Sequence, residues 1–553
     1  QGKLEAVSRL FVSLPLLLLA AGVLRADAVV VTQAMRSTTI AEVFVEEKGV
    51  RARLEVGGAD LAEFAAFLPK KLLQDPEARK ALRLPADPVP TWKIFADGAE
   101  LAPTRIESKL ARRIVRDVVT GEPTGEGDEP VVQLSIEYTF AARPKTMTLG
   151  SPPGVQIGFV LYDRGLPVND FRYLPREATV DLDAEDPWYS KFRHRNLWRR
   201  FDAPLSAFLY VESYEIRKEV VVRPRDLQQW VDLGVEGRDV LPIEEQEAVM
   251  QKAAVFLRNR APVEIDGAPA DFELERVHFV RRSLRRTGVI DPPEELSLAS
   301  ATLGVIFVHA RGGTLPKTVT MRWDLFGPRI QRVPAVATDE AGGLPSWLTP
   351  EDDILTWTNF LKNPRAAGFL AVPEPRSASA LVPWVAWALA VIGLIALVRR
   401  RWVGGALLLV IGGALLLTRG DEAPRGEVVG ALLRNTYRAF DLVGESAVYD
   451  ALERSVDGAV LDETYLQTRR ALELQNQGGA RVKVNEVTLE SCDARSEGES
   501  FRARCAWTVQ GSVGHWGHLH QRSNRYDAEI GVAIRDGAWK IVSIEMLDEA
   551  RVE

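Results

Sequence analysis

Three of the six histidines in this chain fall in one short stretch, Gly514-His-Trp-Gly-His-Leu-His-Gln-Arg522. Imidazoles at His515, His518 and His520, with a coordination position left open, are the donor set that zinc or copper takes in many sites. A second chemistry needs only one of them: a histidine beside a helix-borne carboxylate such as Asp441 or Asp450 makes an acid–base pair. A third reading needs no reaction, only a polar pocket wall or a partner-binding hairpin. Arg522 counts against the metal, because a guanidinium beside a cation weakens binding. The polar pocket or hairpin is therefore the leading expectation, with zinc or copper as the alternative.

The element that must carry these residues is a strand starting near His518. Side chains alternate along a strand, so residues 518, 520, 522, 524 and 526 share one face, with His518 and His520 about 7 Å apart. That face passes from His518 and His520 through Arg522 and Asn524 to Tyr526, Ala528 and Ile530, polar at one end and apolar at the other. Helical spacing precedes it in 428–443, 446–456 and 460–474, and strand patterns occupy 482–491, 501–513, 518–535 and 539–547, with an Asp536-Gly537 turn before the last. Three helices, a long antiparallel sheet and the closing Asp536-Gly-Ala-Trp-Lys-Ile-Val542 resemble the cone fold of the nuclear-transport-factor-2-like superfamily. The resemblance covers residues 425–553. It implies an α+β cone with Arg522, Asn524 and Tyr526 in its pocket; the superfamily contains both enzymes and interaction domains, so fold alone does not choose a function.

The two cysteines, Cys492 and Cys505, close one of these strands and open the next. A disulfide across that hairpin is expected, since their separation of 505 − 492 = 13 residues fits neither a zinc ribbon nor a redox pair.

The larger part of the chain, before residue 366, repeats itself. Ala41–Leu54 followed by Asp60-Leu61 and Phe64 matches Ala207–Val220 followed by Asp226-Leu227 and Trp230, at an offset of 226 − 60 = 166. Asp97-Gly98 matches Asp266-Gly267, Pro144–Thr148 matches Pro316–Thr320, and Trp188 matches Trp357. Alternation of apolar and charged residues predicts half-buried strands in both copies, with one short helix each near Asp60 and Asp226 and hairpin turns at the Asp-Gly pairs. Acidic clusters at Asp181, Asp183, Glu185, Asp186 and at Glu351, Asp352, Asp353 suggest calcium or, better for Thr349–Asp353, a helix start. Between the copies, Lys191, Arg193, Arg195, Trp198, Arg199 and Arg200 interleave cations with aromatics, as a solvated connector or a contact to an acidic partner or anionic lipid would.

Apolar runs complete the reading. Residues 1–28 look like a secretory signal. Leu381–Val398 and Trp402–Thr418, joined by Arg399, Arg400 and Arg401, look like a transmembrane hairpin with its arginines in the cytoplasm. The expected fold is thus a multidomain membrane protein: β-rich sandwich-like domains at 29–200 and 201–365, a linker 366–380, the hairpin 381–418 and the cone 425–553. It would sit in a bacterial-type inner membrane with both soluble parts in the periplasm, among other membrane-protein subunits. A net charge of −7 without a concentrated basic footprint excludes nucleic acid as a partner, and no nucleotide is expected. A non-enzymatic scaffold or accessory subunit is the functional expectation; the alternative is metal handling or small-ligand binding through His515, His518 and His520.

Overall fold

A computed structural model of the protein describes residues 33–117, 121, 123–282, 287–362, 368–374, 381–398, 410, 424–442, 445–467, 481–497, 500–515 and 518–552. The chain falls into two compact units, one within Ala26–His309 and Pro316–Phe360, the other within Ala310–Leu315 and Leu361–Glu553.

The first unit has two halves. The first half runs β1 (Thr39–Val45), β2 (Gly49–Gly57), β3 (Lys93–Ala96), β4 (Ala99–Glu100), β5 (Pro103–Arg116), β6 (Pro123–Thr139), β7 (Thr146–Gly150), β8 (Ile157–Asp163), β9 (Leu166–Pro167), β10 (Arg172–Tyr173), β11 (Glu177–Asp181) and β12 (Lys191–Phe192). One sheet has the order β10-β8-β1-β2-β6-β5 and the other β12-β11-β7-β3-β4. Their inner faces meet in one core that includes Val43, Leu54, Trp92, Ile136, Leu149, Phe159 and Phe192. Alternation is why this works: in β6, Val132, Leu134, Ile136 and Tyr138 are buried while the residues between them are partly exposed.

The second half runs β13 (Leu205–Val211), β14 (Glu215–Val222), β15 (Val240–Leu241), β16 (Val263–Ile265), β17 (Ala268–Ala270), β18 (Glu273–Arg282), β19 (Thr287–Val289), β20 (Leu296–Ser297), β21 (Leu303–Ala310), β22 (Thr318–Arg322), β23 (Val333–Asp339), β24 (Gly342–Leu348) and β25 (Ile354–Thr358). Its large sheet has the order β24-β23-β13-β14-β21-β18-β19 and its smaller one β25-β22-β16-β17, with β15 and β20 as a separate pair. Apart from β12 in the first half and β15, β19 and β20 in the second, this is the order of the first half, including the parallel neighbours β1–β8 and β13–β23.

The Asp-Gly turns are alike in detail. Asp97 and Asp266 sit at φ 46° and 52°, followed by Gly98 and Gly267 at 84° and 80°, the left-handed pair a tight hairpin needs. Asp97 accepts the backbone N–H groups of Lys145 and Thr146, and Asp266 accepts those of Lys317 and Thr318. Trp188 and Trp357 do not correspond. Trp357 lies in β25 opposite Val319, where the first half has Val180 opposite Met147, whereas Trp188 lies in the 3-10 turn Pro187–Tyr189. Thr349–Asp353 is not a helix start but a turn between strands, closed by hydrogen bonds between Thr349 and Asp352.

In the second unit, helices Arg425–Arg438 and Glu445–Glu453 and a helical stretch at 459–467 precede β26 (Arg481–Glu497), β27 (Ser500–His515), β28 (His518–Arg535) and β29 (Ala538–Val552). The four strands form one antiparallel sheet in chain order, and Val429, Leu432, Leu452, Trp507, Tyr526 and Ile541 are buried together. Cys492 and Cys505 are direct cross-strand partners in β26 and β27 and are joined by a disulfide.

The expectation of a transmembrane hairpin is corrected. Among the described residues no helix is long and apolar enough to cross a membrane. The helix Leu381–Val398 has 18 residues, about 27 Å at 1.5 Å per residue, short of a hydrocarbon core of about 30 Å. The arginine turn 399–401 and the second run, apart from Val410, lie outside the described residues, as does the signal segment 1–28. The inner-membrane placement rested on that hairpin and has no support; the periplasmic sidedness inferred from it falls with it.

Candidate functional site

A cleft of about 960 Å³ opens between the two halves of the first unit, lined by residues that include Glu47, Arg164, Glu185, Tyr189, Asp226 and Arg329. Its floor is built by the acidic loop that precedes Trp188. Asp183 Oδ1 accepts the backbone N–H groups of Glu185 and Asp186 at 3.0 and 2.8 Å, an Asx-type turn. Asp186 Oδ1 then accepts Trp188 N–H at 3.0 Å, capping the 3-10 turn that Pro187 begins. The carboxylates of this loop do not converge. Asp181 pairs with Arg193 at 2.9 Å, Asp183 with Arg329 at 2.7 Å and Asp186 with Arg223 at 3.0 Å. Among the described residues no three His, Cys, Asp or Glu side chains are grouped to hold a metal ion, so the acidic clusters do not form a calcium site.

Arg223 is the centre of the arrangement and is fully buried. It donates to Asp226 Oδ2 at 2.7 Å, to Asp186 Oδ2 at 3.0 Å and to the carbonyl of Ala299 at 3.1 Å. Its guanidinium lies 4.4 Å from the Trp188 ring, and that of Arg199 lies 4.0 Å from the same ring. Tyr189 donates its hydroxyl to Asp226 Oδ1. Burial raises the Asp226 carboxyl above its usual range against the pull of Arg223, and burial together with Asp226 raises the Tyr189 phenol. Burial and the neighbouring Arg223 cation push Arg199 down to about 10. Every carboxylate oxygen named here already accepts a hydrogen bond. The group is chemically a clamp, fastening residues 186–189 of one half to residues 223–226 of the other.

The connector between the halves is folded onto them. Lys191 pairs with Asp202 at 2.7 Å and lies 3.4 Å from the Trp198 ring, and Arg195 lies 5.6 Å from it. Arg199 donates to the carbonyls of Pro167 and Trp188, and the backbone of Arg200 donates to Asp170. Arg193, Arg195 and Arg200 keep exposed side chains. The interleaving of cations and aromatics here is a packing pattern in good part.

In the second unit a smaller polar group stands on the β28 face. Asn524 donates to the Tyr526 hydroxyl at 3.0 Å and to Glu549 at 3.4 Å, and Trp507 donates to the Tyr437 hydroxyl at 3.4 Å. The Trp507 and Tyr526 rings are 5.6 Å apart. Burial raises the Glu549 carboxyl, opposed by its hydrogen bonds from Asn524 and Tyr526, and burial raises both phenols. Arg522 and Asn524 are partly exposed; Tyr526, Ala528 and Ile530 are fully buried. His515 pairs with His518 and His520 with Val513 through the backbone, but their imidazoles, and Trp516-Gly517, lie outside what is described. Glu549 was not singled out by sequence. Two register shifts, between Gly531 and Val532 and between Asp527 and Ala528, each move β29 by one residue, so pairing counted from Val532 and Ile541 would set Leu547 and not Glu549 opposite Tyr526.

No family model matches the chain, and no curated protein matches it. Among solved structures, the crystal structure of the intermembrane space region of chloroplast protein ARC6 is similar at 15% identity and a TM-score of 0.19, covering 23% of this chain and 98% of that one; a likeness of that size carries no argument.

Proposed function

We propose that the protein is a non-enzymatic scaffold or accessory subunit that offers the cleft between its two β-rich halves to a partner protein. The observation that carries this reading is the Arg223 clamp. Two buried carboxylates with every oxygen hydrogen-bonded, gripping a guanidinium that lacks a partner only at Nε, hold two bodies in one geometry, and a rim bearing both signs of charge, Glu47, Arg164, Glu185 and Arg329, favours selective recognition of a complementary surface. The test is co-purification from an extract of the producing cells, with the full chain and with a Glu47→Arg, Glu185→Arg variant. A discrete protein in constant ratio, lost with the variant at an unchanged melting temperature, supports the reading. Recovery that the variant does not alter, or no partner, refutes it.

A second reading concerns the C-terminal unit. Helices followed by a four-stranded antiparallel sheet support its resemblance to the nuclear-transport-factor-2-like cone, and the contact of Asn524, Tyr526 and Glu549 supports a small-ligand or metal-handling site on β28, the strand that begins at His518 and His520. Bound zinc and copper measured by mass spectrometry in the full chain, against a His518→Ala, His520→Ala variant, decides the metal part: near-stoichiometric metal lost in the variant supports it, and no metal in the folded protein removes it.

A further inference from the structure

The first half of the β-rich unit ends in an open edge. β5 is the last strand of its sheet, and among the described residues nothing pairs with its outer side. From Arg105 to Arg112 it pairs with residues 137 to 130 of β6 without interruption, a straight run of eight residues. Ile106, Ser108 and Leu110 stand opposite Ile136, Leu134 and Val132, which are core residues, so they continue the core face of the sheet. Yet Ile106 is 45% and Leu110 82% exposed. Apolar side chains on a core face at an unpaired edge are a template for another strand.

The residues of this edge say which strand fits. Laid antiparallel against itself about Ser108, β5 places Ile106 opposite Leu110 of the other copy and Glu107 opposite its Lys109, twice over by symmetry. Apolar meets apolar on one face and opposite charges meet on the other. Charges on an edge ordinarily keep strands apart; here their order makes them attract in one register. We propose that β5 is a self-complementary interface, through which two copies of this chain pair edge to edge about a two-fold axis at Ser108. The corresponding edge of the second half cannot do this: β18 is joined by β19 over 280–282 and is broken by a bulge between Leu274 and Arg276. The interface is separate from the cleft, and neither reading depends on the other.

Sedimentation of the full chain over a concentration series tests it. The wild type is expected to show a monomer–dimer equilibrium. Lys109→Glu, which sets a second carboxylate against Glu107 twice per dimer, should weaken it about tenfold. Glu107→Lys combined with Lys109→Glu should restore it, which a merely structural role for either exposed residue would not do. Ser108→Cys should give a disulfide-linked dimer under mild oxidation, because directly opposed residues lie about 4.5–5.5 Å apart at Cα, within disulfide reach. A chain that stays monomeric at the highest soluble concentration overturns the proposal. So does a dimer indifferent to Lys109→Glu, or one that the double variant fails to rescue.

Discussion

Asp60 and Asp226 occupy the same place in the two halves of the β-rich unit and live in different worlds. Asp60 accepts a single hydroxyl, Thr39 Oγ1, at 2.7 Å. Asp226 is buried in the clamp between Arg223 and Tyr189. The reason lies one strand end away. By the same offset, 223 − 166 = 57, the position of Arg223 is held in the first half by Gly57, where a Cβ would already stand 2.6 Å from the Thr38 methyl and 2.8 Å from its carbonyl oxygen. One half has no room for a side chain there; the other fills the place with a cation and gathers two carboxylates around it. A shared strand order therefore does not carry a shared site.

The paired strands differ in the same sense. In β2 the charged residues Arg51 and Arg53 keep contact with water. All of β13 and β14 is buried, and Arg217 pairs there with Glu219 at 2.9 Å. The nearby acids Glu219 and Glu215 outweigh burial and raise the Arg217 guanidinium above its ordinary value. Lys218 stands where the first half has Ala52, donating to the carbonyls of Arg260 and Ala261, and burial lowers its amine to about 8 against the pull of Asp324.

The contrast can be broken at its strongest point first. Arg223→Met leaves Asp186 and Asp226 buried without their cation and should lower stability by about 3–5 kcal/mol in chemical denaturation. Gly57→Ala, at the matching position, should cost roughly 1–3 kcal/mol by overpacking alone and leave the clamp intact. An equal loss for both would show that the clamp adds nothing beyond packing.

Lys218 makes a pH-dependent claim. Its folded pKa, about 8, lies below the ordinary 10.5, so between these values the unfolded chain binds more protons. Stability should then rise with pH across that window, by at most about 3 kcal/mol, and Lys218→Met should flatten the rise. A slope unchanged by the substitution would assign the effect elsewhere.

The turns sharpen the comparison from the other side. Asp97→Ala and Asp266→Ala each remove the acceptor for two backbone N–H groups, and each should cost about 1–2 kcal/mol, nearly the same in both halves. Unequal costs would mean the turns are alike in shape only. The smallest change is Thr39→Val, which takes the hydroxyl from Asp60 and should cost about 1 kcal/mol or less.

Much of this was legible before any coordinate. The offset of 166 relates β1 to β13 and β2 to β14, the Asp-Gly pairs mark turns that need left-handed backbone, and two cysteines on the neighbouring strands of one hairpin mark a disulfide. These are local properties: alternation, turn chemistry and spacing act within a few residues and survive in any surroundings. The matched tryptophans misled because spacing alone cannot tell a strand residue from one on a 3-10 turn. The apolar run at 381–398 misled although it forms a helix over the same residues, because apolarity was weighed ahead of a length of 18 residues, about 27 Å, that falls short of a hydrocarbon core.

What only the tertiary structure decided is burial and register. The pattern of β14, Glu-Ile-Arg-Lys-Glu-Val, is that of a half-exposed strand; no local rule says that its charged face will be covered. Nor does the loop Asp181–Asp186 announce that its carboxylates will separate to three different arginines, one of them 37 residues further on in the other half. Glu549 meets Tyr526 only because two bulges together shift a strand by two residues. Desolvation, ion pairing and strand register each depend on what arrives from elsewhere in the chain, and the sequence by itself records the residues without recording who meets whom.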